Sequence, residues 1–204
     1  MIGIINYGSG NIQAVANIYK RAGISFKIIN SKNDFLGIRK LILPGVGAFD
    51  STMRVLNSSG LRDSLDYYVL NELVPVLGVC VGMQIMSNGS EEGIEPGLGW
   101  IKGKVKKFDC MKIHHKPYIP HMGWNTLDLV SDSKLFYNID QKLGFYFVHS
   151  YYYETEVTEN ILAKTNYGEL FASAVFDQHI FGVQFHPEKS HINGIRLLTN
   201  FAGL

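Results

Sequence analysis

The chain is poor in cysteine, with two in 204 residues, Cys80 and Cys110. That excludes a scaffold held by a disulfide framework and suits a reducing compartment. Proline is also scarce, at six residues, so no proline-rich linker divides the chain. Neither sign of charge is in excess. Lys and Arg number 19 against 18 Asp and Glu, for a formal charge of +1. This leaves no electrostatic footprint for nucleic acid or an anionic membrane surface. Long apolar runs are missing too. The uncharged stretch between Leu73 and Glu91 is broken by Pro75, by glycines, and by Gln84, Ser87 and Asn88, which argues against a membrane span. No secretory signal pattern precedes the apolar run at Ile2. These absences predict a soluble, cytoplasmic protein with no nucleic-acid or membrane partner. With 46% hydrophobic residues and no repeat or low-complexity tract, residues 1–204 are expected to form a single domain.

What the chain does have is Leu77-Gly78-Val79-Cys80-Val81-Gly82-Met83-Gln84, entered from Val74-Pro75-Val76. The apolar, β-branched run suits a buried strand, and glycines two positions either side of Cys80 permit a sharp turn. G-x-C-x-G is the nucleophile-elbow pattern G-x-S-x-G with sulfur in place of oxygen. A helix opening through Met83, Gln84, Ile85 and Met86 would favour a thiolate at Cys80 through its N-terminal amides. The bland alternative is a buried cysteine acting as a small hydrophobe, which is how Cys110 reads.

The rest of the first half alternates strand and helix patterns. Ile2-Gly3-Ile4-Ile5 precedes a helix through Ile12, Val15, Ala16 and Tyr19, and Gly8-Ser9-Gly10 between them reads as turn chemistry rather than a cofactor loop. Strands are predicted at Ile24–Ile29 and Lys40–Leu43, the latter running into Pro44-Gly45-Val46-Gly47. A helix capped by Asp50 or Ser51 then carries Met53, Leu56, Leu61, Leu65 and Val69, with a break near Ser58-Ser59-Gly60. Beyond Gly99 the pattern is of short strands: Trp100–Phe108, Tyr118–Met122, Gly123–Leu129, Tyr146–Tyr153, Asn160–Thr165, Phe171–Phe176 and Ile180–Phe185. A final helix is predicted with Ile195, Leu198, Thr199 and Ala202 on one face. The expectation is an α/β fold with a mixed, largely parallel central sheet flanked by helices and an added antiparallel portion in the second half. Its functional groups should gather at the carboxyl ends of the parallel strands.

A cysteine nucleophile needs a base to hold and return its proton, and the base needs an orienting group. His186-Pro187-Glu188, at the end of a predicted strand, offers both. Val81, following Cys80, can supply one amide for a developing oxyanion, and Gly45-Val46-Gly47 a second. His114-His115 would point to opposite faces of a strand and reads as a basic surface loop rather than a metal pair.

In order and spacing, Pro44-Gly45-Val46-Gly47, Gly78-Val79-Cys80-Val81-Gly82 and Gly182-Val183-Gln184-Phe185-His186-Pro187-Glu188 resemble the class I, or triad, glutamine amidotransferases. Asn6 to Asn11, Ser90-Glu91-Glu92-Gly93, Pro120-His121-Met122-Gly123-Trp124-Asn125 and Tyr146 to Tyr151 extend the likeness to the branch of glutaminase subunits that serve histidine biosynthesis. The resemblance implies a flavodoxin-like fold, a catalytic triad of Cys80, His186 and Glu188, and an oxyanion hole from backbone at Val46, Gly47 and Val81. It further implies a glutamine pocket lined by Gln84, Glu92, Ser150 and Tyr151, with no cofactor and no metal. It also implies ammonia transfer to a (β/α)8-barrel cyclase partner, with Met122, Trp124 and Tyr146 facing it, and an oxyanion loop that rests unproductive until the partner binds its ligand.

Three other readings compete. A paralogous branch supplying ammonia for amidino-sugar synthesis in bacterial surface polysaccharide is suggested by Gly97-Leu98-Gly99-Trp100-Ile101 and Ser190-His191-Ile192-Asn193-Gly194. A cysteine hydrolase of another class could use the same triad, and a non-catalytic interaction protein could keep the fold.

Overall fold

β1 (Ile2–Ile5) is buried along its whole length, and it lies parallel between β2 (Phe26–Ile29) and β3 (Lys40–Gly45). Runs buried on both faces need covering helices, and α1 (Ile12–Arg21) packs with Val15, Ala16 and Tyr19 inward. The computed structural model describes residues 1–204 except His115 and Pro117, so the reading of His114-His115 lies outside the described residues.

α2 (Phe49–Ser58) and α3 (Arg62–Asp66) are separated at Ser59-Gly60-Leu61, where the sequence places a break. α2 starts one residue before the earlier of the expected caps. Its flanking residue is Ala48, and the first-turn Phe49 N–H is satisfied from a distance by Glu92 Oε2 at 2.8 Å. Asp50 instead packs against the 93–95 loop and accepts the Ile94 and Glu95 amides at 3.1 and 3.0 Å. β4 (Val76–Cys80) is fully buried and parallel to β3. It leads into α4 (Val81–Gln84), a single turn shorter than the pattern predicts, so little helix dipole is available at Cys80.

The second half supplies the antiparallel strands, with boundaries that differ from the sequence pattern. β5 (Gly103–Lys107) forms only at the end of its predicted run. β6 (His121–Asn125) and β7 (Asp128–Leu129) cut across the predicted division at Gly123. The Tyr146–Tyr153 run splits at Ser150 into β8 (Phe145–His149) and β9 (Tyr151–Thr155), which pair with β6 and β5 respectively. β10 (Ile161–Tyr167) and β11 (Glu169–Asp177) form a hairpin, and β12 (Ile180–Val183) follows. α5 (His191–Gly203) buries Asn193, Gly194, Leu197, Leu198 and Phe201; Ile195 and Thr199, expected on that face, are exposed because the helix is rotated about its axis relative to the pattern.

The main sheet runs β2-β1-β3-β4-β12-β11-β10-β7, with β9 joined to β11 and β5 to β9; β6 and β8 form a separate ribbon. β12 arrives from the antiparallel half but lies parallel to β4, with Gly182 opposite Gly78 and Val183 opposite Val79. The α/β class and the mixed, largely parallel sheet expected from the sequence are therefore present. More important for function, the segments after β3, β4 and β12 emerge at one sheet end from three neighbouring strands.

Candidate active site

Cys80 ends β4 with φ +54° and ψ −112°, a backbone state that side chains rarely adopt and that costs on the order of 1–3 kcal/mol. The flanking glycines make the turn possible by close approach. A Cβ on Gly82 would stand 1.9 Å from the Leu43 carbonyl oxygen, and one on Gly78 would stand 2.6 Å from the Gly82 carbonyl oxygen. The elbow is thus packed against the adjacent strand β3 and holds the thiol at the floor of a cavity.

That cavity has a volume of about 410 Å³ and takes in Val46, Gly47, Cys80, Val81, Gln84 and Glu92, facing Ser150, Tyr151 and His186. All the residues the sequence singles out for the triad, oxyanion site and glutamine pocket line it, except Glu188, which stands behind His186. His186 Nδ1 and Glu188 Oε1 are 2.8 Å apart, with both side chains only 3% exposed. The Pro187–Lys189 turn folds the carboxylate back onto the ring, and Ser190 Oγ donates to the His186 carbonyl at 2.6 Å. The His186 amide donates to the Tyr146 carbonyl at 2.9 Å, tying this turn to β8.

Burial disfavours a charged His186, but hydrogen bonds and charge from Cys80 and Glu188 outweigh it and push its pKa up to about 10. With Nδ1 committed to Glu188, Nε2 is the ring nitrogen left for the hydrogen bond with Cys80 that helps hold the imidazolium form. Chemically, it can deliver a soft nucleophile to an acyl carbon and a proton to a leaving group.

Three of these residues carry hydrogen bonds within the chain. The Val46 N–H donates to Ser9 Oγ at 3.0 Å, and that hydroxyl donates back to the Val46 carbonyl at 2.9 Å. Gly47 follows at φ +95°, where glycine makes a left-handed turn without steric cost. Glu92 lends one carboxylate oxygen to the start of α2, and its location in the cavity follows from that anchoring. Gln84 is buried rather than offered wholly to a ligand: its Nε2 donates to the Tyr151 carbonyl and to Gln184 Oε1, both at 3.0 Å.

Sequence reasoning missed Ser9, His149 and Gln184. Ser9 was absorbed into turn chemistry. His149 was detectable, because the alternation in β8 puts it on the buried face with Phe145 and Phe147, where a polar ring needs a reason. Burial, together with the neighbouring His121 and His186, holds it neutral, pushing its pKa down to about 3. Met122 and Trp124 are 60% and 48% exposed on β6, and Trp124 stacks on His191 at 5.2 Å, while Tyr146 is half-buried.

The glutamine amidotransferase class-I family model matches residues 3–202. The imidazole glycerol phosphate synthase subunit HisH of Leptospira interrogans is 48% identical over 204 residues, covering all of both chains. Its counterpart in Bdellovibrio bacteriovorus is 48% identical over 202 residues and 99% of each. In fold, the chain is similar to a putative GMP synthase protein from Thermoplasma acidophilum, with TM-score 0.72 and 19% identity over 99% of this chain and 92% of that one. It is likewise similar to a chain of PurLQS from Thermotoga maritima, with TM-score 0.73 and 15% identity over 99% and 97%. The chain therefore belongs to the class-I glutamine amidotransferases, among the relatives named imidazole glycerol phosphate synthase subunit HisH.

Proposed function

We propose that this chain is a glutaminase subunit that hydrolyses L-glutamine to glutamate and ammonia and passes the ammonia to a (β/α)8-barrel cyclase. There its nitrogen would be built into the imidazole ring of imidazole glycerol phosphate, with aminoimidazole carboxamide ribotide released from the same precursor, in histidine biosynthesis. The observation that carries the chemistry is the strained Cys80 at the floor of an open cavity with the His186–Glu188 pair beside it. The names of its full-length relatives carry the pathway and favour it over the amidino-sugar branch.

Cys80 Sγ attacks the side-chain carbonyl carbon of glutamine, and negative charge moves to the carbonyl oxygen. The C–N bond breaks as His186 gives its Nε2 proton to the departing ammonia, leaving a thioester. His186 then takes a proton from water, whose oxygen attacks the thioester, and glutamate leaves as the sulfur is freed. Glu188 fixes the ring and stabilises its charged form. Glu92 suits the substrate ammonium, and backbone near Ser150 and Tyr151 suits its carboxylate. Val81 and a reoriented Val46-Gly47 peptide would supply the oxyanion donors.

Residues 1–204 act as one domain in this reading, supported by the sheet that joins both halves. Among the described residues no helix is long and apolar enough to cross a membrane. A reducing cytoplasm would keep Cys80 as a free thiol. The test is to purify the chain with its barrel partner and assay glutamine hydrolysis with and without each candidate acceptor. Stimulation by the histidine-pathway acceptor is expected; stimulation only by an amidino-sugar precursor would move the chain to the other branch. No covalent labelling of Cys80 by a glutamine-like chloroketone in the liganded complex would refute the chemistry.

A further inference from the structure

Gln184 is wholly buried between Val183 and Phe185, next to the nucleophile. Its Nε2 lies 3.7 Å from Cys80 Sγ, within reach of an N–H···S hydrogen bond, and its Oε1 accepts from Gln84 Nε2 at 3.0 Å. Two buried side-chain amides facing each other next to a thiol are costly unless their polar atoms are paired, so their orientation is informative.

That orientation can be worked out from fixed ends. The Tyr151 carbonyl can only accept, and it receives Gln84 Nε2–H at 3.0 Å, which identifies the nitrogen end of Gln84. The second hydrogen on that nitrogen is directed at Gln184, so the Gln184 oxygen must face Gln84 and its nitrogen must face the sulfur.

The same carbonyl is held from its other side. Asn125 accepts the Thr126 amide on Oδ1 at 2.9 Å and gives Nδ2–H to the Asn166 carbonyl at 2.9 Å, fixing its own amide. Its Nδ2 also stands 3.2 Å from His121 Nε2, which must therefore accept. The His121 proton then sits on Nδ1, 3.0 Å from His149 Nε2, and the His149 proton on its own Nδ1, 2.8 Å from the Tyr151 carbonyl. Every donor meets an acceptor with both imidazoles neutral. The burial that holds His149 uncharged agrees with this assignment.

We propose that Gln184 is a further catalytic residue: its Nε2–H bond to Cys80 Sγ fixes the sulfur and favours the thiolate. Gln84, the Tyr151 carbonyl, His149, His121 and Asn125 are the positioning groups that keep its amide from flipping. A flipped Gln184 would set a carbonyl oxygen against the sulfur lone pairs, with the opposite effect. The relay begins on β6, the strand that exposes Met122 and Trp124, and ends on the reacting atom.

This deepens the proposed function, since it rests on Cys80 as the nucleophile, but its test needs no glutamine turnover. The titratable groups facing Cys80 or sharing its cavity are His186, Tyr7, His149, Tyr151, Glu92 and Lys189, with Glu188 behind His186. Gln184→Met leaves all of them in place and removes the donor to the sulfur together with the acceptor of Gln84 Nε2.

Iodoacetamide alkylation of Cys80 is followed from pH 5 to 10 in the full chain. In Gln184→Met the midpoint should move upward by about one pH unit relative to the natural chain, and the rate at pH values below the midpoint should fall about tenfold. Gln184→Glu should move it further in the same direction. An unchanged midpoint in a folded Gln184→Met overturns the proposal. Where the variants fail to fold, nitrogen NMR of the natural chain decides. Nδ1–H tautomers at both His121 and His149 from pH 6 to 8 are expected, and an Nε2–H tautomer or a charged ring at His149 overturns the relay. Normal alkylation without glutaminase activity would instead count against the proposed function alone.

Discussion

The Ser9 hydroxyl spans the Val46 peptide, accepting from its N–H at 3.0 Å and donating to its carbonyl at 2.9 Å. The amide best placed to meet an oxyanion is thus bonded within the chain. Each such hydrogen bond is worth on the order of 0.5–1.5 kcal/mol. Ser9→Ala should raise glutaminase turnover in the absence of an acceptor by about 3- to 10-fold, read as kcat with KM little changed. No rise in a folded variant would show that the latch does not limit turnover.

Burial lowers the pKa of His186, and hydrogen bonds and charge from Cys80 and then Glu188 raise it past the ordinary value. A histidine whose folded pKa lies above the ordinary 6.5 stabilises the fold fully below that value and loses the contribution as pH rises toward about 10. Glu188→Gln should therefore lower kcat by about 10²-fold or more and also flatten the fall in Tm between pH 7 and 10. Thermal melts across that range check the sign.

His149 has the opposite sense. Its pKa is depressed to about 3 by burial first and by His121 and His186 next, so its contribution is present above 6.5 and lost as pH falls toward 3. The slope from one such group is at most about 1.4 kcal/mol per pH unit. His149→Gln should lose less stability than the natural chain between pH 6.5 and 4 in urea titrations, whatever it loses at neutral pH. Among the described residues, the groups acting on this ring are His121, His186, the Tyr151 carbonyl, Phe108, Phe147 and Phe171, none of them a carboxylate that would offset the trend.

Cys80 sits at φ +54° with ψ −112°, a geometry glycine adopts readily. Cys80→Gly should be inactive with glutamine yet more stable than Cys80→Ala by about 1 kcal/mol. Equal Tm values for the two variants would mean that the elbow stores no strain.

Trp124 and Met122 are exposed and so cost little folding stability when truncated. Trp124→Ala should leave Tm nearly unchanged and weaken binding to the barrel partner by about tenfold or more, as measured by titration calorimetry. A strong Tm loss would instead assign Trp124, stacked on His191, a folding role.

Much of this was legible along the chain. The G-x-C-x-G turn, the break at Gly60, the switch from βα units to short strands, and the candidate triad all rest on local chemistry: glycine tolerance, apolar periodicity and a proline-stiffened turn. Strand ends were less legible. The run through Ser150 alternates without interruption, and only its separate partners, β6 and β5, divide it in two.

By itself, then, the sequence determined the α/β class and which residue types could perform acyl transfer. Tertiary structure decided who meets whom. β12 slots beside β4 from about 100 residues away, as the Gln84–Gln184 separation of 100 positions records, and no local pattern encodes that register. It also decided which polar atoms are already spoken for. Val46 is held by Ser9, Glu92 by Phe49 and Gln84 by Tyr151 and Gln184, because a buried or half-buried donor takes the nearest acceptor that folding brings to it.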